Sequence, residues 1–300
     1  MPRPKLFIIA TNALLATLLL AGCDKLGAFN SLQAGNLTPD RADLPYGPDA
    51  RQKIDIYLPP AHQRPAPLIV WFYGGSWDSG DKRKYAFVAK RFVDMGYAVA
   101  IPDYRLVPAV HYPAFITDGA MAVAFAHTYA ASHPENISRT ELVLAGHSAG
   151  AYNAVQLVAN RDFLRDVGMK RADIAGIIGL SGPYDFYPYD VSATKIAFGT
   201  TGADDSQPVN QDLHDMPPLL LITGEDDHTV FPRNSIRLAA LAPDAKLVTI
   251  PGTGHVGTVV GLGTFLTGDT RITAPIGHFL ARVAPVNASS TITTSAARTR

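Results

Sequence analysis

Leu142-Val143-Leu144-Ala145-Gly146-His147-Ser148-Ala149-Gly150 decides the reading of this chain. An apolar run of strand type ends at Gly146, and Ala149 to Ala159 then has the composition of a helix. Between them stands Gly-x-Ser-x-Gly. A serine on a sharp strand-to-helix turn holds a strained backbone, and side chains two residues to either side would collide there. Such a turn lifts the Ser148 hydroxyl clear of the sheet and sets the positive end of a helix beside it. The bare five-residue pattern is weak, because Gly and Ser are common turn residues. The strand before it and the Ala-rich helix after it make Ser148 a candidate nucleophile.

Outward from this stretch the chain alternates. Gln52 to Leu58 alternates polar and apolar, as a half-buried strand does. Leu68–Tyr73 and Tyr97–Pro102 are continuous apolar runs, typical of strands buried on both faces. Further strands are expected at Glu141–Ala145, Ile174–Leu180, Leu219–Thr223 and Lys246–Ile250. Helices are expected at Lys82–Met95, Pro113–Ala131, Arg233–Leu241 and Ile276–Val283. This pattern predicts an α/β domain over residues 46–285: a mostly parallel central sheet with helices on both faces. Residues 286–300, rich in Ser, Thr and Ala, are expected to fray.

The chain has 300 residues and is 47% apolar, enough for one large α/β domain. Lys+Arg and Asp+Glu both number 26, for a formal net charge of zero. No basic stripe appears, so nothing supports a nucleic-acid partner. The single cysteine, Cys23, excludes an intramolecular disulfide. No cluster has metal-ligand spacing.

Arg3 and Lys5 precede a stretch, Leu6 to Leu20, that is apolar apart from Thr11, Asn12 and Thr17. It is short of the roughly 20 residues of a membrane span, but suits a secretory signal. Leu20-Ala21-Gly22-Cys23 follows, and residues 1–23 resemble a bacterial lipoprotein signal peptide. That resemblance implies removal of residues 1–22, lipidation of Cys23 and a membrane anchor in the bacterial cell envelope, outside the cytoplasm. Residues 23–45 are polar, with Gly, Asn and Pro, and read as a tether.

A nucleophilic serine needs a base, an orienting acid and an oxyanion hole. Open α/β sheets place such groups in loops at the carboxyl ends of strands. After Leu219–Thr223 comes Gly224-Glu225-Asp226-Asp227-His228-Thr229-Val230, and after Lys246–Ile250 comes Gly252-Thr253-Gly254-His255. His255 is the candidate base. Three consecutive acids leave the orienting residue open between Glu225, Asp226 and Asp227. Trp71-Phe72-Tyr73-Gly74-Gly75-Ser76-Trp77 is the candidate oxyanion loop, since glycines let bare N–H groups approach a substrate oxygen. The amides of Gly75 and Ala149, with Gly74 as a third, are the expected donors. His147 and His228 read as non-catalytic.

The chain order Ser, acid, His is that of the α/β-hydrolases, and several segments resemble that family. Gly224, Asp227 and Val230 fit its Gly-x-x-Asp-x-x-Val signature, and this resemblance selects Asp227 over Asp226. Gly74, Gly75 and Trp77 are similar to the His-Gly-Gly-x-Trp loop of its carboxylesterases. These include the feruloyl/acetyl-xylan-esterase-like group, hormone-sensitive-lipase-like enzymes and formamidases of the kynurenine type. Tyr73 stands where those enzymes carry histidine. Asp103-Tyr104-Arg105-Leu106 resembles a structural segment of the same group. The resemblance, over roughly Gln52 to Val283, implies hydrolysis of small carboxylic esters through an acyl-enzyme, with no cofactor. An amidase or formamidase is the alternative, and a non-catalytic tethered binding protein a more distant one.

Gly252-Thr253-Gly254-His255-Val256-Gly257 also fits Gly-x-Gly-x-x-Gly after a strand. No strand ending in an acid follows at the distance a dinucleotide site requires, so that reading is set aside. Asn136-Ile137-Ser138 and Asn287-Ala288-Ser289 fit glycosylation sequons but carry no weight in a bacterial lipoprotein. The region from Ser181 to Pro218, with Tyr184, Phe186, Tyr187 and Tyr189, reads either as a surface loop or as a small lid.

Overall fold

The computed structural model describes residues 25–265 and 267–286. Cys23, the signal peptide, Asn287 and most of the expected C-terminal tail lie outside the described residues. Eight strands form one sheet: β1 (Arg41–Pro45), β2 (Lys53–Tyr57), β3 (Ala66–Phe72), β4 (Ala98–Pro102), β5 (Ile137–His147), β6 (Gly176–Leu180), β7 (Leu219–Gly224) and β8 (Ala245–Ile250). Their order is β1-β2-β4-β3-β5-β6-β7-β8. β1 and β2 run antiparallel to their neighbours, and every pairing from β4 to β8 is parallel.

Helices cover both faces, and β3 shows how. Successive strand side chains point to opposite sides. Trp71 meets Phe92 of α2 (Ala86–Asp94), with ring centroids 6.2 Å apart. Its neighbour Phe72 reaches the other face, where a side chain on Gly119 of α3 (Ala114–Ser132) would start 3.5 Å from its ring. Every residue of β3, β4, β6 and β7 is buried, which explains their unbroken apolar sequences. β8 is the outer strand and is only partly covered.

The N-terminal stretch departs from expectation. Residues 23–45 were expected to form a tether, but α1 (Lys25–Ala34) and β1 belong to the folded domain. Phe29 meets Phe87 edge-on at 5.0 Å. Asn30 accepts from the Phe87 amide and donates to the Arg83 carbonyl. The buried Gln33 accepts from the Phe265 amide. β1 is fixed by Lys82, 2% exposed, which donates to Asp43 and Asp55 at 2.6 and 2.7 Å. An ammonium taken out of water is tolerated because it is paired twice. Such long-range contacts leave no periodic trace in a polar sequence.

The last helix also begins earlier than expected. α10 spans Thr270–Val283, with the Asp269 side chain accepting from the Arg271 amide at its N-terminus. Pro275 lies inside it, and a proline there suggests a boundary that the packing overrides. Between them in chain order come α4 (Ala149–Ala159), α5 (Arg161–Asp166), α6 (Ser192–Phe198), α7 (Ala203–Ser206), α8 (Arg233–Leu241) and α9 (Gly257–Val260). The Ser181–Pro218 region is thus partly helical. Phe198 from α6 packs against Trp77 at 4.9 Å and Tyr152 at 5.4 Å. Among the described residues no helix is long and apolar enough to cross a membrane.

Candidate active site

Ser148 stands between β5 and α4 with φ 55° and ψ −125°. The flanking glycines are there for space. A side chain on Gly150 would start 2.1 Å from the Phe72 carbonyl oxygen, and one on Gly146 2.5 Å from the Gly150 backbone. The Ser148 amide donates to the Leu180 carbonyl at 2.9 Å, which ties the turn to β6.

Ser148 Oγ lies 2.9 Å from His255 Nε2, and His255 Nδ1 lies 2.8 Å from Asp227 Oδ2. A carboxylate only accepts, so Nδ1–H donates to Asp227 and Nε2 is free to accept the serine proton. Asp227 Oδ1 accepts from the amides of Thr229 and Val230 at 3.0 and 2.8 Å. Both donors are backbone amides, so this contact fixes the loop's course and not the side chain at residue 230. Asp227 is 1% exposed, while Glu225 and Asp226 are exposed. Burial by itself would raise the Asp227 pKa, but hydrogen bonds from His255, the Val230 amide and Ser181 hold it below the usual carboxylate range. The acid and base loops also touch directly. A side chain on Gly224 would start 2.1 Å from the Thr253 carbonyl oxygen, and the Asp226 amide donates to that carbonyl.

The Gly74-Gly75 loop, the candidate oxyanion loop, is held from both sides. Gly75 has φ 127°, and its carbonyl accepts from the Asp78 and Ser79 amides. Trp77 Nε1 donates to Asn153 Oδ1 at 2.9 Å, joining the loop to α4. The Ala149 amide belongs to the first helical residue, among the N–H groups a helix leaves without an internal partner. A side chain on Gly74 would start 3.0 Å from Ser148 Cβ, so this glycine leaves clearance for the serine.

Tyr73 turns away from the site. Its ring stacks between Tyr85 and Tyr104 at 5.4 and 4.9 Å. Its hydroxyl donates to Asp103 and accepts from Arg51, and Tyr104 donates to the Tyr73 carbonyl. The Asp103-Tyr104-Arg105 segment therefore buttresses the strand end at Tyr73. Arg105 completes this by pairing with the fully buried Asp118.

Three nearby residues were not singled out by the sequence as part of the site. The Ser181 hydroxyl lies 3.0 Å from Thr258 Oγ1, which donates to the His255 carbonyl. His147 Nε2 lies 3.1 Å from the same carbonyl. Ser181 does follow the carboxyl end of β6, the position that flags site residues in such sheets. Among the described residues no group of three or more His, Cys, Asp or Glu could hold a metal ion.

Burial, reinforced by the neighbouring His255, pushes His147 down to about 3, with Asp227 the charged group facing it. His147 stays neutral in the fold, whereas an unfolded histidine takes a proton below about 6.5. The unfolded state then binds more protons, so stability should fall as pH drops from about 6.5 towards 3. Urea midpoints measured between pH 7 and pH 4 should decline in the wild type and decline less in His147→Gln. Equal slopes would refute this origin.

Fold and site together define an α/β-hydrolase with a Ser–His–Asp arrangement. Residues 54–241 match the family model BD-FAE, and the chain belongs to that family. Kynurenine formamidase of Danio rerio is 31% identical over 157 residues, covering 52% of this chain and 50% of that protein. Esterase LipQ of Mycobacterium tuberculosis is 28% identical over 233 residues, covering 70% of this chain and 54% of that protein. The matches span 33% to 56% of the length of these and similar curated relatives. Among solved structures, esterase B from Lactobacillus rhamnosis superposes with a TM-score of 0.69 at 18% identity, covering 90% of this chain and 95% of that one. A bacterial heroin esterase gives 0.66 at 21%, covering 85% and 88%. At these identities the likeness is one of fold.

Proposed function

We propose that this chain is a serine carboxylic ester hydrolase. The observation that carries the reading is the unbroken line Ser148 Oγ, His255 Nε2, His255 Nδ1, Asp227 Oδ2, with links of 2.9 and 2.8 Å. Ser148 attacks the ester carbonyl as its proton passes to His255. Asp227 holds the imidazole in the needed tautomer and stabilises its charged form. The oxyanion of the tetrahedral intermediate sits on the Gly75 and Ala149 amides. His255 then protonates the leaving alcohol, and water, activated by the same imidazole, releases the acid from the acyl-enzyme. Labelling by a fluorophosphonate, with loss of label in Ser148→Ala, tests the assignment.

Substrates are expected to be small. The rings of Trp77, Tyr152 and Phe198 pack against one another beside the Gly74-Gly75 loop, and the short Ser181–Pro218 region offers little to line a long acyl chain. On p-nitrophenyl esters, kcat/KM should peak between about two and six acyl carbons, with steps of ~1–3 kcal/mol per methylene at most. Faster cleavage of long-chain emulsions than of soluble butyrate would overturn this. The formamidase alternative keeps a place because of the 31% identity to the zebrafish enzyme. Formyl anilides assayed beside aryl esters decide between the two.

The N-terminal signal supports a mature protein anchored by lipid on Cys23, outside the cytoplasm. Such cysteines carry two or three chains, and two or more are what stable anchoring takes. Palmitate labelling should mark the wild type and spare Cys23→Ser; equal label in both would refute the anchor. A soluble form should begin before Lys25, because a start further on would cut into α1.

A further inference from the structure

His147 occupies the variable position of the nucleophile turn, yet it is 6% exposed and lies against both His255 and Gly74. It directly precedes Ser148. A carbonyl only accepts, so its Nε2–H donates to the His255 carbonyl at 3.1 Å. The two imidazole rings lie 4.8 Å apart, tilted by 44°. On its other side, the position a Gly74 side chain would occupy is 3.1 Å from His147 Nδ1, so the ring also rests on the oxyanion loop.

The base needs such a brace. His255 follows β8, one of the two edge strands, which is only partly buried. Gly252 and Gly254 precede it, Gly252 at φ 66°, and Val256 after it is 59% exposed. Among the described residues the sheet ends at β8, so the loop is packed from the β7 side only. β5 is a central strand, and its last six residues are buried. His147 at its end can carry that rigidity to an edge loop.

We propose that His147 is a positioning residue, whose Nε2–H clamps the His255 backbone so that nucleophile turn, oxyanion loop and base keep one geometry. The Thr258 hydroxyl is the second arm of the clamp, donating to the same carbonyl at 3.0 Å. Neutrality fits the role: an imidazole kept uncharged beside His255 does not oppose the charge that His255 gains during turnover. The inference rests on the ester-hydrolase reading above, and its test separates the two.

The variants are His147→Leu, which fills space without a donor, and His147→Gln, whose amide can still reach the carbonyl. On p-nitrophenyl butyrate, kcat of His147→Leu should fall about 10- to 100-fold while KM stays within about two-fold, as expected of a misplaced base. His147→Gln should recover most of the lost kcat, whatever its melting temperature. Fluorophosphonate inactivation should slow in the same order. Wild-type kcat in His147→Leu, or equal losses in Leu and Gln, would overturn the proposal. Should His147→Leu not fold, His147→Asn replaces it, since its shorter amide falls short of the carbonyl; a kcat equal to that of Gln would then count against the clamp. If the wild type itself resists fluorophosphonate, the ester-hydrolase reading fails. If the wild type and His147→Leu label at one rate, only the positioning role fails.

Discussion

Ser148→Ala should abolish turnover of p-nitrophenyl butyrate, lowering kcat on the order of 10⁵- to 10⁶-fold, and leave a folded protein. The loss is this large because the other groups have nothing to act on without the hydroxyl. Folding should survive because the Ser148 side chain makes its hydrogen bond to His255 alone, while its backbone holds the turn through Leu180 and Tyr152. His255→Ala should cost about as much, and the double variant little more, since the three residues act as a unit. Steady-state kinetics beside circular dichroism checks both. Residual turnover in Ser148→Ala above about a thousandth of wild type would place the nucleophile elsewhere.

The second large effect is expected at Asp227. The Thr229 and Val230 amides both donate to Oδ1. In Asp227→Asn they will keep the amide oxygen and turn the NH₂ group towards His255. Two donors then face each other unless His255 moves its proton to Nε2, where it can no longer accept from Ser148. Such a tautomer switch costs kcat about 10⁴-fold. Asp226→Asn, on an exposed side chain, should leave kcat within about two-fold. A larger loss for Asp226→Asn than for Asp227→Asn would reverse the assignment of the acid.

The parts of this molecule that the sequence made legible are those governed by local rules. The helix Ala149–Ala159 and the helix Arg233–Leu241 begin and end where the sequence places them. The buried strands β3 and β7 differ from expectation by two residues or fewer at either end. Ser148, Asp227 and His255 were readable because each sits in a loop after a strand, and the structure brings them within hydrogen-bond reach. What escaped notice depends on distant partners. α1 is held by Phe87, Arg83 and Phe265, and β1 by Lys82; neither carries a hydrophobic pattern of its own. His147 read as a bystander, because its contacts lie with Gly74 and His255, far away in sequence.

The backbone around the hydroxyl also bears on how this protein could be improved or could drift. Five non-glycine residues among those described have positive φ, and four of them, Ser76, Trp77, Ser148 and Ser181, stand in the loops that meet at the hydroxyl. Sparsely populated conformations of this kind cost about 1–3 kcal/mol each. A library selected for heat resistance alone would therefore favour glycine at Ser148 and return a robust, inert protein. Selection must reward turnover in the same round, or spare the four positions and work on the exposed helices instead. The same gradient acts on any gene copy released from its duty: its easiest route to a tougher fold runs through the loss of its chemistry.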